Sequence, residues 1–443
     1  MSNTSRRNFL AAAAGAAGAP FILPSRVWSA DTAPNSKLGV GLIGMGKQNG
    51  GHLGHFLGRT DTQVIAVCDV DKTRREDAKA RADKKYMNSD VVAYNDFNEM
   101  LARKDIDVVC IATPDHWHAI AGIAAAKAGK DIFGEKPLTH NVHEALALTA
   151  AIRGNNRVFQ TGSMQRSMKE FRVAAELVQN GVIGTVKTIT TSFGDPAAPN
   201  AYPEEAMEPG LDWDRWCGPG PVVPYNHELS PRGPCQTFPN WRKTREFGGG
   251  MITDWGAHHI DIAQWGMGVD ATGPVEVIAP EGWETAKRGA KLVYDNGVIL
   301  THGEGFGVSF YGTDGEVHVN RGKFKLVIKG ATKFYYDKAD EACKKTTLLR
   351  EVTFAENEFL KNAKIKLYDS KEHHEDFLQA VRNRTKPICD VEIGATTAIS
   401  CHLMNMAYWH GAHIKWNPTK REFISGGDPK WLTREYRGEY KVA

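Results

Sequence analysis

An acid and a base recur at helical spacing in the stretch Gly248-Gly249-Gly250-Met251-Ile252-Thr253-Asp254-Trp255-Gly256-Ala257-His258-His259-Ile260-Asp261-Ile262-Ala263-Gln264-Trp265. Taken as one helix, it puts Asp254, His258, Asp261 and Trp265 on a single stripe, while His259 points elsewhere. A carboxylate and an imidazole on one face can hold and move a proton near neutral pH. The alternative for His258 is a core histidine satisfied by Asp261 or by backbone. The glycines ahead of the stripe let backbone approach a bound group closely, and Thr253 or Asp254 lies where the helix dipole favours anions.

A second constellation lies near the start. Gly41-Leu42-Ile43-Gly44-Met45-Gly46 closes an apolar run and leads into Lys47-Gln48-Asn49-Gly50-Gly51-His52. Gly44 and Gly46 permit a tight turn that sets backbone amides against a pyrophosphate at a helix N-terminus, with Met45, Gln48 and Asn49 beside it. Asn49 takes the third fingerprint position in place of glycine. Asparagine tolerates left-handed backbone, and Gly50 or Gly51 is the candidate for close helix packing. Asp69 ends the next apolar run, where it can accept hydrogen bonds from adenosine ribose hydroxyls or, alternatively, cap the following helix. Its charge would repel a 2'-phosphate, so NAD is favoured; Lys72, Arg74 and Arg75 keep NADP as the lesser alternative.

The elements that must position these groups alternate. Apolar runs at Leu38 to Ile43, Val64 to Cys68, Val108 to Ala112, Ile132-Phe133 and Val158-Phe159 are short and continuous, as in parallel strands covered on both faces. Amphipathic stretches lie between them, at Thr73 to Lys85, Asn95 to Ala102, Trp117 to Ala128 and Asn141 to Ile152. This order predicts an α/β fold with a doubly wound parallel sheet over residues 37–165. Thr113-Pro114-Asp115-His116-Trp117-His118 and Gly134-Glu135-Lys136-Pro137-Leu138-Thr139 both fall at carboxyl ends of strands, where such sheets bind ligands. Strand-like runs from Val186 to Phe193, Ala290 to Val293, Val298 to Thr301 and Glu316 to Val319 predict an α+β domain over 166–443. Its large, mainly antiparallel sheet has a face suited to homo-oligomerisation. From Asp195 to Phe247 the chain is rich in Pro, Gly and Trp, a loop long enough to cover a ligand. The stretch from His373 to Arg384 predicts an amphipathic helix, with His373 and His374 either exposed at its start, the preferred reading, or reaching the active site.

Glu135-Lys136-Pro137 at a strand end, together with glycines followed by Asp254, His258 and Asp261, resembles the glucose-fructose oxidoreductase, inositol dehydrogenase and rhizopine catabolism (Gfo/Idh/MocA) family. The resemblance runs across nearly the whole chain beyond the N-terminal segment. It implies Lys136, Asp254 and His258 as the catalytic set. It also implies cofactor contacts from Thr113, Pro114, His118, Glu135 and Lys136, and a cis bond before Pro137. Gln165, Trp241 and Arg242 join Lys136, Asp254 and His258 as candidate substrate contacts. The activity implied is NAD-dependent oxidation of a secondary alcohol of a sugar, glycoside or cyclitol, with C3 of a glucoside as the preferred carbon. In that chemistry His258 is the base, Lys136 faces the developing oxyanion and Asp254 tunes both. A glycosidase or eliminase working through a transient keto-sugar is the first rival, and a non-catalytic sugar-binding module the second.

Ser5-Arg6-Arg7-Asn8-Phe9-Leu10 and the small-residue run to Pro20 resemble a twin-arginine signal, so residues 1–30 are expected to be an export signal and the destination periplasmic. Such systems carry folded proteins, so the cofactor is expected to be loaded beforehand and tightly held. The 55 basic and 52 acidic residues leave no field for nucleic acid. No run is long enough for a permanent membrane span. The seven cysteines form no metal-ligand set, no metal is expected, and a Cys217–Cys235 bridge is not expected either.

Overall fold

The computed structural model describes residues 37–234 and 236–442, so the twin-arginine-like segment and Cys235 lie outside the described residues. Cys217 is a buried free thiol. No helix among the described residues is long and apolar enough to cross a membrane.

Every apolar run in the first part becomes a strand: β1 (Leu38–Ile43), β2 (Thr62–Cys68), β4 (Val108–Ile111), β5 (Asp131–Gly134) and β6 (Phe159–Thr161). The edge strand β3 (Val92–Tyr94) was not anticipated, because its three residues are half-exposed and show no apolar continuity. The sheet runs β3-β2-β1-β4-β5-β6 with all neighbours parallel. Helices α1 (Lys47–Gly58), α2 (Lys72–Tyr86), α3 (Phe97–Leu101), α4 (Asp115–Lys127) and α5 (Val142–Gly154) connect the strands. The order reverses between β1 and β4, which opens a crevice beyond their carboxyl ends. Asp71 and Asn141 start α2 and α5 by accepting backbone N–H bonds.

The second part contains α6 (Lys169–Gln179), β7 (Val186–Ser192), α7 (Trp213–Cys217), α8 (Gly250–Asp254), α9 (Gly256–Met267), β8 (Glu276–Ile278), β9 (Lys291–Val293), β10 (Ile299–Gly303), β11 (Val308–Gly312), β12 (Gly315–Asn320), β13 (Lys323–Ile328), β14 (Ala331–Asp337), α10 (Leu348–Phe359), α11 (His373–Asn383), α12 (Val391–His410), β15 (Ile414–Asn417) and β16 (Glu422–Ser425). Ten strands form one sheet, β14-β13-β12-β11-β7-β10-β9-β8-β15-β16, antiparallel except where β7 meets β10. Burial alternates along β10, and α6, α9 and α10 pack on the sheet at β7 and β11 to β14 while α12 packs at β8 and β9.

α11 returns Phe377, Leu378 and Val381 to the core that holds Val40, Leu42 and Phe133 of the first sheet. Two expectations are corrected. The motif stripe is two helices, α8 and α9, broken at Trp255. His373 and His374 are buried, since Phe133 stacks on His374 at a centroid distance of 4.8 Å and His373 lies 2.8 Å from the Thr161 carbonyl.

Candidate active site

Gly44 has φ +81°, and a Cβ there would sit 2.8 Å from Thr113 Cα, so both conformation and space demand glycine. At Gly46, just ahead of α1, a Cβ would meet nothing within 4 Å. That leaves open space against the first free amides of the helix, a cradle of the kind a pyrophosphate fills. Asn49 is helical rather than left-handed. Its Nδ2 donates to the Ile43 carbonyl at 3.0 Å and the Cys110 carbonyl at 3.5 Å, fastening α1 across β1 and β4. Neither following glycine packs closely, because a Cβ at Gly50 would find only Arg81 Nη1 at 3.5 Å and one at Gly51 nothing.

The Met45 amide donates to Asp69 Oδ2 at 2.6 Å and the Asp71 amide to Oδ1 at 2.8 Å; burial raises this carboxyl above its ordinary value, and the Arg74 charge and those two amides oppose the rise. Asp69 therefore fixes the glycine turn while lining the cavity above it, and the helix cap is Asp71. Met45 contributes its amide, and neither its side chain nor that of Asn49 lines the cavity. This cavity, about 410 Å³, has Gln48, Thr113 and Pro114 on one side and Leu229, Phe238 and Trp241 of the Trp-rich segment on the other. The tail residues Glu439 to Lys441 close its edge. Arg74 is committed to that cover, donating to the Pro231 carbonyl at 2.5 Å and Ser230 Oγ at 3.1 Å. Arg75 binds the Asp69 carbonyl and Asn95.

A second cavity, about 420 Å³, shares Gln48, Thr113, Trp241 and Arg242 with the first. Here Lys136 Nζ lies 2.5 Å from Asp254 Oδ1 and 3.2 Å from the Asp254 carbonyl, and Arg242 pairs with Oδ2. Burial alone would raise the Asp254 carboxyl, but the Lys136 and Arg242 charges outweigh it and hold the group below its ordinary value. His258 lines the same cavity. Burial, then the charges of Lys136 and Arg321, push its imidazole well below the usual value, so the ring is neutral. Arg321 Nη2 lies 3.2 Å from His258 Nε2, and a guanidinium only donates. The ring proton is therefore on Nδ1, which has no partner, and Nε2 is the basic nitrogen.

Glu135 Oε1 accepts from Gln48 Nε2 at 2.8 Å and lies 3.0 Å from His52 Nε2. Burial opposes its ionisation, but His52, Lys136 and Gln48 bring the carboxyl down to about 2. His52 continues to His374 at 2.8 Å, and His374 to Glu372 at 3.0 Å. His55, Glu372 and His374 offer ligand atoms within 4.8 Å of one another, but the two rings stack with planes 21° apart. Stacked rings do not aim their in-plane lone pairs at a common ion. His118 ties the two strand-end loops together, with ring nitrogens 2.7 Å from the Pro137 carbonyl and 2.9 Å from that of Thr113. The Lys136–Pro137 bond is cis.

Residues 38–163 match a family model described as an oxidoreductase family, NAD-binding Rossmann fold, and residues 175–408 match that family's C-terminal alpha/beta domain. The chain belongs to the Gfo/Idh/MocA oxidoreductase family. It is 24% identical over 293 residues to an uncharacterised oxidoreductase, YrbE, of Bacillus subtilis, covering 62% of this chain and 72% of that one. It is 28% identical over 160 residues to the myo-inositol 2-dehydrogenase of Thermotoga maritima, covering 36% of this chain and only 46% of the relative. A levoglucosan dehydrogenase solved with NADH shares the fold, with TM-score 0.56, 18% identity, and coverage of 86% of this chain and 99% of that one.

Within this Gfo/Idh/MocA site, Lys136, Asp254, His258, Trp241 and Arg242 are brought together, and Gln165 is not. Gln165 is fully buried and does not line the cavity, whose wall at that point is Met164. Asp261 does not reach His258; both its oxygens bind Arg166 at 2.8 Å, and Oδ1 also accepts from Thr397. Arg166 and Asp261 are shut off from solvent, and Arg166 also holds Asp270 at 2.8 and 2.9 Å, so Asp261→Ala removes one of two carboxylates on a buried guanidinium and should cost about 1–3 kcal/mol, read as a lower urea midpoint. Sequence reasoning missed Arg321, in the turn between β12 and β13, and the link from Glu135 through His52 to His374. No local spacing flags Arg321, because tertiary pairing alone carries that turn to α9. The adjacent His373-His374 pair was a signal for the second feature.

Proposed function

We propose that this chain is an exported, NAD-dependent dehydrogenase that oxidises a secondary alcohol of a sugar, glycoside or cyclitol. One observation carries the reading: Lys136, Asp254 and His258 line a single cavity that merges with the cradle above the glycine turn. When bound, a nicotinamide supplies a ring that accepts hydride from a carbinol carbon. His258 Nε2, in a ring kept neutral, takes the hydroxyl proton. The Lys136 ammonium faces the oxygen as negative charge grows on it, and Asp254 holds that ammonium in place. The inositol and levoglucosan dehydrogenase relatives support a carbohydrate alcohol as substrate. Mixing NAD-loaded enzyme with cyclitols and glycosides should raise the reduced-nicotinamide absorbance. Aglycone release with no reduction by any of them would favour glycoside cleavage instead.

NAD over NADP is supported by Asp69 in the lining of the cavity above the glycine turn and by the commitment of Arg74 to the cover. We expect kcat/KM to favour NAD by about a hundredfold, as repulsion between a carboxylate and a 2'-phosphate implies. Asp69→Ser should narrow that ratio, and an unchanged ratio would remove Asp69 from cofactor choice. The cover and the tail support a cofactor retained through purification. Export rests on Arg6-Arg7 and its flanks, and self-association on the sheet face away from α6, α9 and α10.

A further inference from the structure

Four cationic side chains line the second cavity, Lys136, Arg242, Lys243 and Arg321, against three carboxyls, Asp115, Glu135 and Asp254. Burial pushes the Asp115 carboxyl well above its ordinary value, against the pull of the Lys136 and Arg242 charges. Lys136 and Arg242 share one carboxylate, that of Asp254. Glu135 is turned to His52 and Gln48. Lys243 is exposed to solvent, whereas Arg321 is half-buried and feels the charges of Glu135, Asp254 and Glu170 without pairing with any of them.

Among the described residues no carboxylate lies within 4.0 Å of the Arg321 guanidinium. It lies over the Trp255 ring, 5.0 Å from the centroid, and its one side-chain hydrogen bond goes to a neutral imidazole nitrogen. Its Nε has no partner. A half-buried arginine normally finds an oxyanion, because its donors in low dielectric are costly to leave unmade. Here the donor instead covers the lone pair that the reaction needs.

We propose that the substrate carries a carboxylate, as a glycosiduronic or sugar acid does, and that Arg321 binds it. This rests on the dehydrogenase reading of the same cavity and adds the substrate's charge to it. A carboxylate draws the guanidinium off His258 Nε2 and frees that nitrogen for the hydroxyl to be oxidised. A neutral sugar offers the guanidinium nothing better than the imidazole and leaves the base covered. Recognition and unmasking are then one event. Arg321 acts on the base through position, and on the substrate through charge.

The test is calorimetric binding to the NADH-loaded protein, which cannot oxidise an alcohol, paired with turnover of the NAD-loaded protein. The probes are methyl glucoside, galactoside and mannoside and their glycosiduronates. At least one acid should bind about thirtyfold more tightly than its neutral partner, as a charged hydrogen bond implies. Arg321→Gln should erase the difference, and Arg321→Lys should restore part of it. Equal affinity of every acid and neutral partner, no binding by any acid, or a preference that survives Arg321→Gln overturns the proposal. An acid that binds through Arg321 without being oxidised keeps this inference and removes the dehydrogenase reading. Neutral glycosides oxidised as well as the acids do the reverse.

Discussion

Lys136→Met and His258→Ala should each lower kcat by about 10²–10⁴, the usual worth of a positioned proton acceptor or of charge beside a developing oxyanion. Lys136 Nζ is held by both the side chain and the carbonyl of Asp254, so its place does not depend on a substrate. Methionine is an unbranched side chain one atom shorter and removes the charge. Asp254 retains Arg242, so the loss falls on chemistry rather than on folding. His258 is neutral through burial and the nearby Lys136 and Arg321 charges, so the wild-type rate should not fall on moderate acidification as it would with an ordinary imidazole base. The checks are steady-state kinetics with cofactor retention and circular dichroism as controls. Near-normal turnover in both variants would contradict the assigned roles.

Acid should unfold this protein cooperatively between about pH 6 and pH 4, where most domains keep much of their stability. Burial, as the leading cause, lowers His116 to about 3 and His259, His302, His373 and His402 to about 4, against an unperturbed 6.5. A folded-state value below the unfolded one means the unfolded chain takes up protons that the native state refuses. The stabilisation is complete above the unfolded value near 6.5 and is lost as pH falls toward 4. Each histidine contributes up to about 1.4 kcal/mol per pH unit in that window. Several together rival a whole domain's margin of about 5–15 kcal/mol. Urea midpoints at stepped pH values should fall steeply below 6.5 and show proton uptake on unfolding. A flat profile down to pH 4 would mean that these rings are already charged or exposed in the native state.

The first sheet was legible because parallel strands buried on both faces leave continuous apolar runs, as in Val64 to Cys68. Three-residue β3 left no such trace. Lys136, Asp254 and His258 were legible because their motifs keep fixed offsets along the chain, even though the stripe divides at Trp255. Asn49 was misjudged because only the fold shows its amide reaching the Ile43 and Cys110 carbonyls. The contacts of His374 and Arg321 were beyond sequence reasoning for one shared reason. Their partners, His52 and His258, lie far away in the chain, and no periodicity encodes which turn meets which helix. Gln165 is a polar residue near motif sequence that the fold turns into the interior, with both its side-chain amide atoms unpaired among the described residues.

The most direct test of the central claim is a single-turnover reaction of NAD-loaded protein with a sugar acid or cyclitol carrying deuterium on its carbinol carbons. Deuterium appearing on the reduced nicotinamide, with a slowed step and dependence on both Lys136 and His258, is the predicted result. Label that stays on the sugar across the whole panel, with no nicotinamide reduced, would contradict it.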